Sequence, residues 1–477
     1  MHTHSCDVAV LGAGPGGYTA AFYAADKGLK VLLVSDDARL GGVCLHRGCI
    51  PSKALLHATA LIREAHGSES LRGITFGKPT IQLERLRAWK ASVLDKLASG
   101  LDSLARQRKV DILVGRGRFD GSRSLRVETA DGPQRVTCQQ AIIAVGSKPA
   151  VPKVFALDDP RLMTSTEALT LQDIPKDLLI VGGGYIGMEL GTVYATLGSR
   201  ATLVEATDTL LAGADADLVR PVARYAQSAF AALRLSTTVM NIKPDGSRLA
   251  VTCDAQGAQT TESYDRVLLA VGRVPNCDGL GLEQTAVTRT PQGFIEVNAQ
   301  QQTRDPAIYA IGDVAGGPLL AHKAAKEGRL AVEAITGAPP ATRRAVMPAV
   351  VFTDPEVAWC GLTETDAGAR GIAVQVSRFP WSASGKALSL DRPDGMTKLI
   401  IEPETERLLG VGIVGVGAGD LISEGVLAIE MGATAKDLAQ AVHPHPTLSE
   451  TLKECAEAFY GIATHVLPRR PALKIRA

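Results

Sequence analysis

Val8-Ala9-Val10-Leu11-Gly12-Ala13-Gly14-Pro15-Gly16-Gly17 decides the fold, and Leu178-Leu179-Ile180-Val181-Gly182-Gly183-Gly184-Tyr185-Ile186-Gly187 repeats it. Each apolar run reads as a buried strand, the glycines as a turn, and the residues after them as a helix. Val31-Leu32-Leu33-Val34 and Ala201-Thr202-Leu203-Val204-Glu205 then supply a second, parallel strand to each unit. The spaced glycines have separate tasks: Gly12 and Gly182 permit the tight turn, Gly14 and Gly184 let backbone approach a pyrophosphate, and Gly17 and Gly187 let helix pack on sheet. The phosphate then rests on free amides at the positive end of the helix. A single turn of this kind can be a ligand-free connection; two in the same strand–helix context predict two dinucleotide sites.

Ribose recognition separates the two. Glu205 ends the second strand of the later unit, where a carboxylate accepts hydrogen bonds from both ribose hydroxyls and repels a 2′-phosphate, so NAD is expected over NADP. In the earlier unit the strand ends in Ser35, followed by Asp36 and Asp37, and both Ser35 and Asp36 are candidates for the ribose contact. After residue 340, strand-like runs (Val350-Val351-Phe352, Lys398-Leu399-Ile400-Ile401, Val411-Gly412-Ile413-Val414) alternate with helical stretches, without another phosphate loop. The expected architecture is therefore α/β: two Rossmann-like dinucleotide-binding domains, residues 1–148 and 149–274, a central segment 275–345 completing the first, and a C-terminal α+β domain, 346–477.

Composition fits this reading. A chain of 477 residues, 45% apolar and 21% charged, is large enough to bury several cores without disulfide staples. A net charge of +1 with no basic tract gives no reason to expect nucleic acid or an anionic membrane as partner. No leader peptide and no membrane-length apolar run is evident, so the expected location is the cytoplasm. The charged stretch from Glu84 to Lys109 has helical apolar spacing and reads as a solvated helix face, and the segment after Leu467 as a loosely held terminus.

Of eight cysteines, Cys6, Cys138, Cys253, Cys277, Cys360 and Cys455 stand alone and read as packing residues. Cys44-Leu45-His46-Arg47-Gly48-Cys49 is different. Residues five apart in a regular helix are too distant for a disulfide, so pairing requires an irregular turn, which Gly48 supplies. Ile50-Pro51-Ser52-Lys53 then opens a helix whose positive end favours a Cys49 thiolate, with Lys53 on the same face. Two free buried thiols or half a metal site are the alternatives; no second Cys/His pair is spaced to complete a zinc site, and no metal is expected.

Near the C-terminus, His443-Pro444-His445-Pro446-Thr447-Leu448-Ser449-Glu450 precedes a helical stretch. Thr447 and Glu450 can form a capping box. Alternatively Glu450 orients His445, an acid–base group. Full capping and full orientation by one carboxylate exclude each other.

With these pieces in place the chain resembles the dihydrolipoyl dehydrogenases of the pyridine nucleotide–disulfide oxidoreductase family over nearly its whole length. The motifs that carry the resemblance are the first phosphate loop, Gly41-Gly42-Val43-Cys44 through Gly48-Cys49-Ile50-Pro51-Ser52-Lys53, Gly182 to Gly187 with Glu189, Ala310-Ile311-Gly312-Asp313, Leu320-Ala321-His322-Lys323-Ala324, and the His-Pro-His-Pro turn. The resemblance implies FAD in the first loop and NAD in the second, with Cys44 as interchange thiol and Cys49 as the thiol against the flavin. It further implies a Lys53–Glu189 pair near the flavin ring, Asp313 on the ribityl–pyrophosphate region, further flavin contacts at Gly115, Gly146, Ser147 and Leu319 to His322, and nicotinamide-side positions at Val239 and Gly272. It implies a homodimer built by the C-terminal domain, in which His445 and Glu450 serve the partner's disulfide, and lipoyl domains of 2-oxoacid dehydrogenase complexes or of the glycine cleavage system as partners. The chain departs from the family pattern twice. Ser35 replaces the usual strand-end acid, and His46-Arg47 replace a polar amide and a small apolar residue, so that a basic pair either shifts the thiolate or points outward. A glutathione-type disulfide reductase is the nearest alternative; it is expected to use NADPH and to carry arginines where Glu205-Ala206 stand.

Overall fold

The computed structural model describes residues 2–339 and 345–467, without the side chains of 66–71. The segment beyond Leu467 lies outside the described residues. The chain packs as two compact units, one of residues 2–174 with 268–339 and the other of 175–267 with 345–467.

In the first unit β1 (Thr3–Leu11) runs parallel to β2 (Val31–Ser35), with Val8 beside Val31, and parallel to a long strand, β6 (Gly132–Ile143). β3 (Asp111–Val114) extends the sheet beyond β2. One half of β6 carries the antiparallel meander of β4 (Arg116–Gly121) and β5 (Ser124–Thr129); the other half pairs in parallel with Ile308–Ala310, so a distant segment returns to complete the sheet. Continuous apolar runs mark a sheet covered on both faces, and Val8, Ala9, Val10, Leu33 and Ile142 are fully buried. Helix α1 (Pro15–Asp26) covers one face and packs on Ala321–Ile335 through small residues: a Cβ on Gly328 would lie 2.9 Å from the Gly16 carbonyl.

The redox segment forms two helices, α2 (Gly42–Arg47) and α3 (Cys49–Leu71), broken at Gly48, where the sequence suggests one helix after an irregular turn. α4 (Leu83–Gln107) is the expected charged helix and most of its face is exposed, with one correction: Lys90 is buried. Its ammonium donates to the carbonyls of Leu169 and Thr170 at the end of Ser165–Thr170, satisfying acceptors a helix leaves open.

In the second unit, Asp177–Val181, Arg200–Val204 and Ala232–Arg234 are parallel neighbours. An antiparallel sheet of Thr237–Asp245, Arg248–Ala255 and Ala258–Tyr264 comes next, an element the sequence pattern does not reveal. The C-terminal part is a five-stranded antiparallel sheet, ordered Ala349–Val351, Val357–Gly361, Leu408–Val414, Met396–Ile401, Gln375–Pro380, packed with helices Ala418–Met431 and Glu450–Phe459 around Trp381, Leu399 and Ile413. Buried charge ties this sheet to the helix Ala216–Ala229. The Lys398 ammonium reaches Asp215 at 2.8 Å, Asp217 at 2.9 Å and Glu364 at 2.8 Å, and Arg378 joins Asp217 and Glu364. Among the described residues no helix is long and apolar enough to cross a membrane.

Candidate active site

The two glycine loops are geometric duplicates. Gly12 and Gly182 have φ of 106° and 110°, where only glycine is comfortable. Gly14 and Gly184 cap their helices in extended conformation, with φ, ψ of −72°, −178° and −74°, −179°, and neither makes a side-chain cap. A Cβ on Gly17 would meet the Gly12 carbonyl at 1.8 Å, and one on Gly187 the Gly182 carbonyl at 2.0 Å. Around Gly14 and Gly184 a Cβ would find nothing within 4 Å. Each loop therefore closes tightly on itself and leaves one face, at the helix amides, open to an anion.

At the strand ends the two units differ. Glu205 is held by three donors: the Gly183 amide at 2.7 Å, and the Thr207 amide and hydroxyl at 2.8 Å each. In the first unit Ser35 is buried and its hydroxyl accepts the Asp37 amide at 3.1 Å, while Asp36 is exposed. The Gly115 amide donates to the Ser35 carbonyl at 2.8 Å, fixing that corner.

The cysteine pair grows directly out of the first loop. The Gly41 amide donates to the Ala13 carbonyl at 2.9 Å, and a Cβ on Gly42 would lie 2.6 Å from the Gly14 Cα. α2 thus starts against the phosphate loop and presents Cys44; Gly48 turns the chain, and Cys49 opens α3. The two side chains lie within hydrogen-bonding reach of each other. The bond to Cys49 and, after it, burial hold the Cys44 thiol well above the ordinary thiol range, while the Lys53 charge pulls the other way. Tyr18 of α1 stands close by, its phenol raised by burial and then by the charges of Cys44 and Cys49. The basic residues between the cysteines are both engaged elsewhere. His46 Nε2 contacts the Leu40 carbonyl at 2.9 Å, and the Arg47 guanidinium donates twice to Asp37, at 2.8 and 2.6 Å. Lys53, not Arg47, is the cation that acts on Cys44.

Further along the first unit, Ser147 donates to Asp313 at 2.5 Å, and Gly146, at φ 68°, accepts the Asn276 amide. Leu319 and Leu320 lead into Ala321–Ile335, which begins with Ala321 and His322. Gly272, at φ 122°, accepts the Ala150 amide. In the second unit Val239 is buried in its strand, and Glu189, 3% exposed, accepts the Phe352 amide at 3.1 Å. Lys53 and Glu189 thus belong to different units.

At the His-Pro-His-Pro turn, His445 Nδ1 donates to Glu450 Oε1 at 3.0 Å and Glu450 Oε2 accepts the Thr447 amide at 2.7 Å. One carboxylate serves both the ring and the turn amide and, in keeping with the expectation, does not cap the helix fully. The capping box is only half made: the helix starts at Glu450 with Ser449 as its cap, and the Thr447 hydroxyl turns to Pro444 and Ser449. Burial acts to raise the Glu450 carboxyl, but the Thr447 amide and the rings of His445 and His443 outweigh it and leave it below its usual range. His443 makes a second pair, Nε2 to Glu424 at 2.7 Å.

Comparison with known proteins now bears on this geometry. Residues 6–328 match the family model described as pyridine nucleotide-disulphide oxidoreductase, and 347–456 match the dimerisation domain of the same family. The chain belongs to the pyridine nucleotide-disulphide oxidoreductase family. Dihydrolipoyl dehydrogenases of Vibrio cholerae and Bacillus subtilis are 44% and 43% identical to it, over 98% and 97% of this chain and 98% of each of theirs. Among solved structures, LpdA of Mycobacterium tuberculosis superposes with a TM-score of 0.87 at 25% identity, covering 96% of this chain and 100% of that one. The HOCl-induced flavoprotein disulfide reductase RclA of Escherichia coli superposes at 0.84 and 26%, covering 95% and 99%.

The cofactors of this oxidoreductase are FAD and NAD. The two open glycine loops fit the pyrophosphates of both, and Glu205 sets a negative charge at the strand end, where a 2′-phosphate would be repelled. Some residues of this site are not legible in the sequence. Arg273 donates to the Ser147 hydroxyl and carbonyl, each at 2.7 Å, and stands 3.9 Å from Asp313. Glu327 accepts the Gly312 amide at 2.7 Å beside Asp313. The Gly272-Arg273-Val274-Pro275-Asn276 run is the signal that could have pointed to Arg273.

Proposed function

We propose that this chain is a dihydrolipoyl dehydrogenase, oxidising dihydrolipoamide to lipoamide with NAD⁺ as acceptor. The observation that carries the reading is a close cysteine pair, Cys44 and Cys49, mounted directly on the phosphate loop of a FAD domain in a chain with a second, NAD-type loop and a His–Glu dyad. The share of sequence held in common with curated dihydrolipoyl dehydrogenases supports it.

In the oxidised enzyme Cys44 and Cys49 are joined. His445, its Nδ1–H fixed on Glu450, keeps Nε2 unprotonated toward solvent and takes the proton of one substrate thiol. The thiolate so formed attacks Cys44, the Cys44–Cys49 bond breaks, and Cys49 leaves as thiolate, stabilised by the helix end and by the Cys44 proton once that thiol is regenerated. The second substrate thiol then attacks the first substrate sulfur, closing the cyclic disulfide and releasing Cys44, which takes up a proton. The substrate loses two electrons and the cysteine pair gains them. FAD, when bound, supplies the two-electron relay from the dithiol to NAD⁺. Glu205 with Thr207, and the Gly184 edge of the second loop, hold the NAD; Asp313, Ser147, Gly146 and Gly115 line the FAD side with Leu319 to His322, and Val239 and Gly272 the nicotinamide side. Lys53 acts on the dithiol.

His445 and Glu450 serve the dithiol of the partner subunit in a homodimer formed by the dimerisation domain. The physiological substrates are lipoyl domains of 2-oxoacid dehydrogenase complexes or of the glycine cleavage system, in the cytoplasm, where free thiols persist. The test is anaerobic addition of dihydrolipoamide and then NAD⁺ to the purified protein, with NADH formation as readout. No NADH, but NADPH-driven turnover of glutathione disulfide, would move the assignment to the glutathione-type reductases. Cys44→Ser should abolish turnover while FAD is retained.

A further inference from the structure

The two departures from the family pattern, Ser35 at the strand end and Arg47 between the cysteines, meet in one structure. Ser35 is 5% exposed and its hydroxyl accepts the Asp37 amide, so it is turned into its own turn rather than toward a ligand. Asp37 is committed as well: the Arg47 guanidinium grips it through two parallel bonds and holds its carboxyl below the usual range. His46 ties the same loop at the Leu40 carbonyl. Asp36 lies between these anchors, exposed, one residue past the strand end, and near enough to Arg47 for its charge to act there. Ribose hydroxyls are donors and need an acceptor. Among the described residues, no protein donor reaches the Asp36 carboxylate, whereas Ser35 and Asp37 at the same corner are both engaged.

We propose that Asp36 supplies the carboxylate that reads the adenosine ribose of FAD in place of the missing strand-end acid, and that Asp37–Arg47 is the positioning pair that presents it. Arg47 thereby has a task unrelated to the thiols beside it. The loop that grips the nucleotide is braced against the C-terminal turn of α2, three residues beyond Cys44. This inference rests on the reading of the first loop as the FAD site and adds the residue that recognises the ribose.

The test uses apoprotein of the full chain, stripped of flavin and titrated by quenching of flavin fluorescence. One titrant is FAD and the other is FAD lacking the adenosine 2′-hydroxyl. Wild type should prefer FAD by about tenfold, the share of one hydrogen bond to a charged acceptor. Asp36→Asn should weaken FAD by about ten- to hundredfold, from loss of the charge at both hydroxyls, and erase most of the preference. Asp37→Asn and Arg47→Gln should each weaken FAD by about threefold to tenfold, and the double variant no more than either alone, because both remove one brace. An Asp36→Asn protein that keeps the full preference, a wild type with none, or single effects that multiply in the double variant overturns the proposal. Wild-type apoprotein that fails to bind FAD at all would instead sink the reading of the first loop.

Discussion

Glu450→Gln tests the proton chemistry most directly, because the two oxygens of the carboxylate have different neighbours. One oxygen accepts from His445 Nδ1 and the other from the Thr447 amide. A glutamine keeps the shape but has one acceptor and one donor. The Thr447 amide is backbone and can only donate, so the carbonyl must face it; otherwise two donors confront each other. The glutamine NH₂ then points at His445 Nδ1, which must become the acceptor. The ring proton moves to Nε2, the nitrogen required as base, and the competent tautomer is disfavoured. We expect the rate of NAD⁺-dependent dihydrolipoamide oxidation to fall by about 10²- to 10³-fold, or roughly 3–4 kcal/mol of barrier. Electron transfer from NADH to an artificial dye, which bypasses thiol exchange, should stay within about twofold of wild type on the same grounds. Glu450→Ala removes the orienter without imposing the wrong tautomer, and should cost less than Glu450→Gln. The reasoning is refuted if Glu450→Gln loses less than about tenfold, if dye reduction falls in parallel, or if Ala is the worse variant.

Other consequences can be checked alongside. Gly184→Ala leaves the loop unhindered but fills the space open to the pyrophosphate, so the variant should fold normally and bind NAD at least about tenfold more weakly. Gly187→Ala drives a Cβ to 2.0 Å from the Gly182 carbonyl and should instead lower the melting temperature; calorimetry and NAD titration distinguish the two. Lys398→Met strips the central cation from Asp215, Asp217 and Glu364. Arg378 still reaches two of them, and Asp215 keeps the Glu364 and Thr365 amides, so the loss should sit near ~3 kcal/mol, the lower end for a broken buried pair. Thermal unfolding of that variant should fall by roughly 6–12 °C. Burial acts to raise the carboxyls of Asp215 and Asp217, and the Lys398 bonds overturn it, leaving both below the usual range. Their stabilisation is therefore complete above the unfolded carboxyl value of about 3.9 and is lost as pH falls through the folded values. Wild type should lose this increment on acidification, measured by denaturant titration across that window, and Lys398→Met should show a shallower acid dependence.

What is legible in the sequence divides along the distance over which each feature is specified. The glycine loops are local: the residue that must turn, the residue that must stay open and the residue that must pack closely lie within six positions, and the two copies agree to a few degrees. The cysteine pair is nearly as local, though two helices broken at Gly48 replace the single helix expected, because five residues suffice for one turn on each side of a glycine. Arg273 is invisible for the opposite reason. Its task exists only because Arg273–Pro275 pairs antiparallel with Ser147–Pro149, a register set by elements far apart in the chain. Lys90 likewise looks solvated by helical spacing, and becomes buried only because a later helix ends over it.

The Glu450 turn is the informative middle case. Both local readings, a helix cap and a partner for His445, arise from the same few residues and look like rivals. They are rivals only if a carboxylate is counted as one acceptor. It has two oxygens with separate directions, and the chain supplies a donor for each: a backbone amide three residues before it and an imidazole five before it. The amide fixes the carboxylate, and the carboxylate fixes the ring. A structural bond and a chemical one are thus the two ends of one side chain, and the substitution that keeps its shape while exchanging one acceptor for a donor is expected to cost more than removing it.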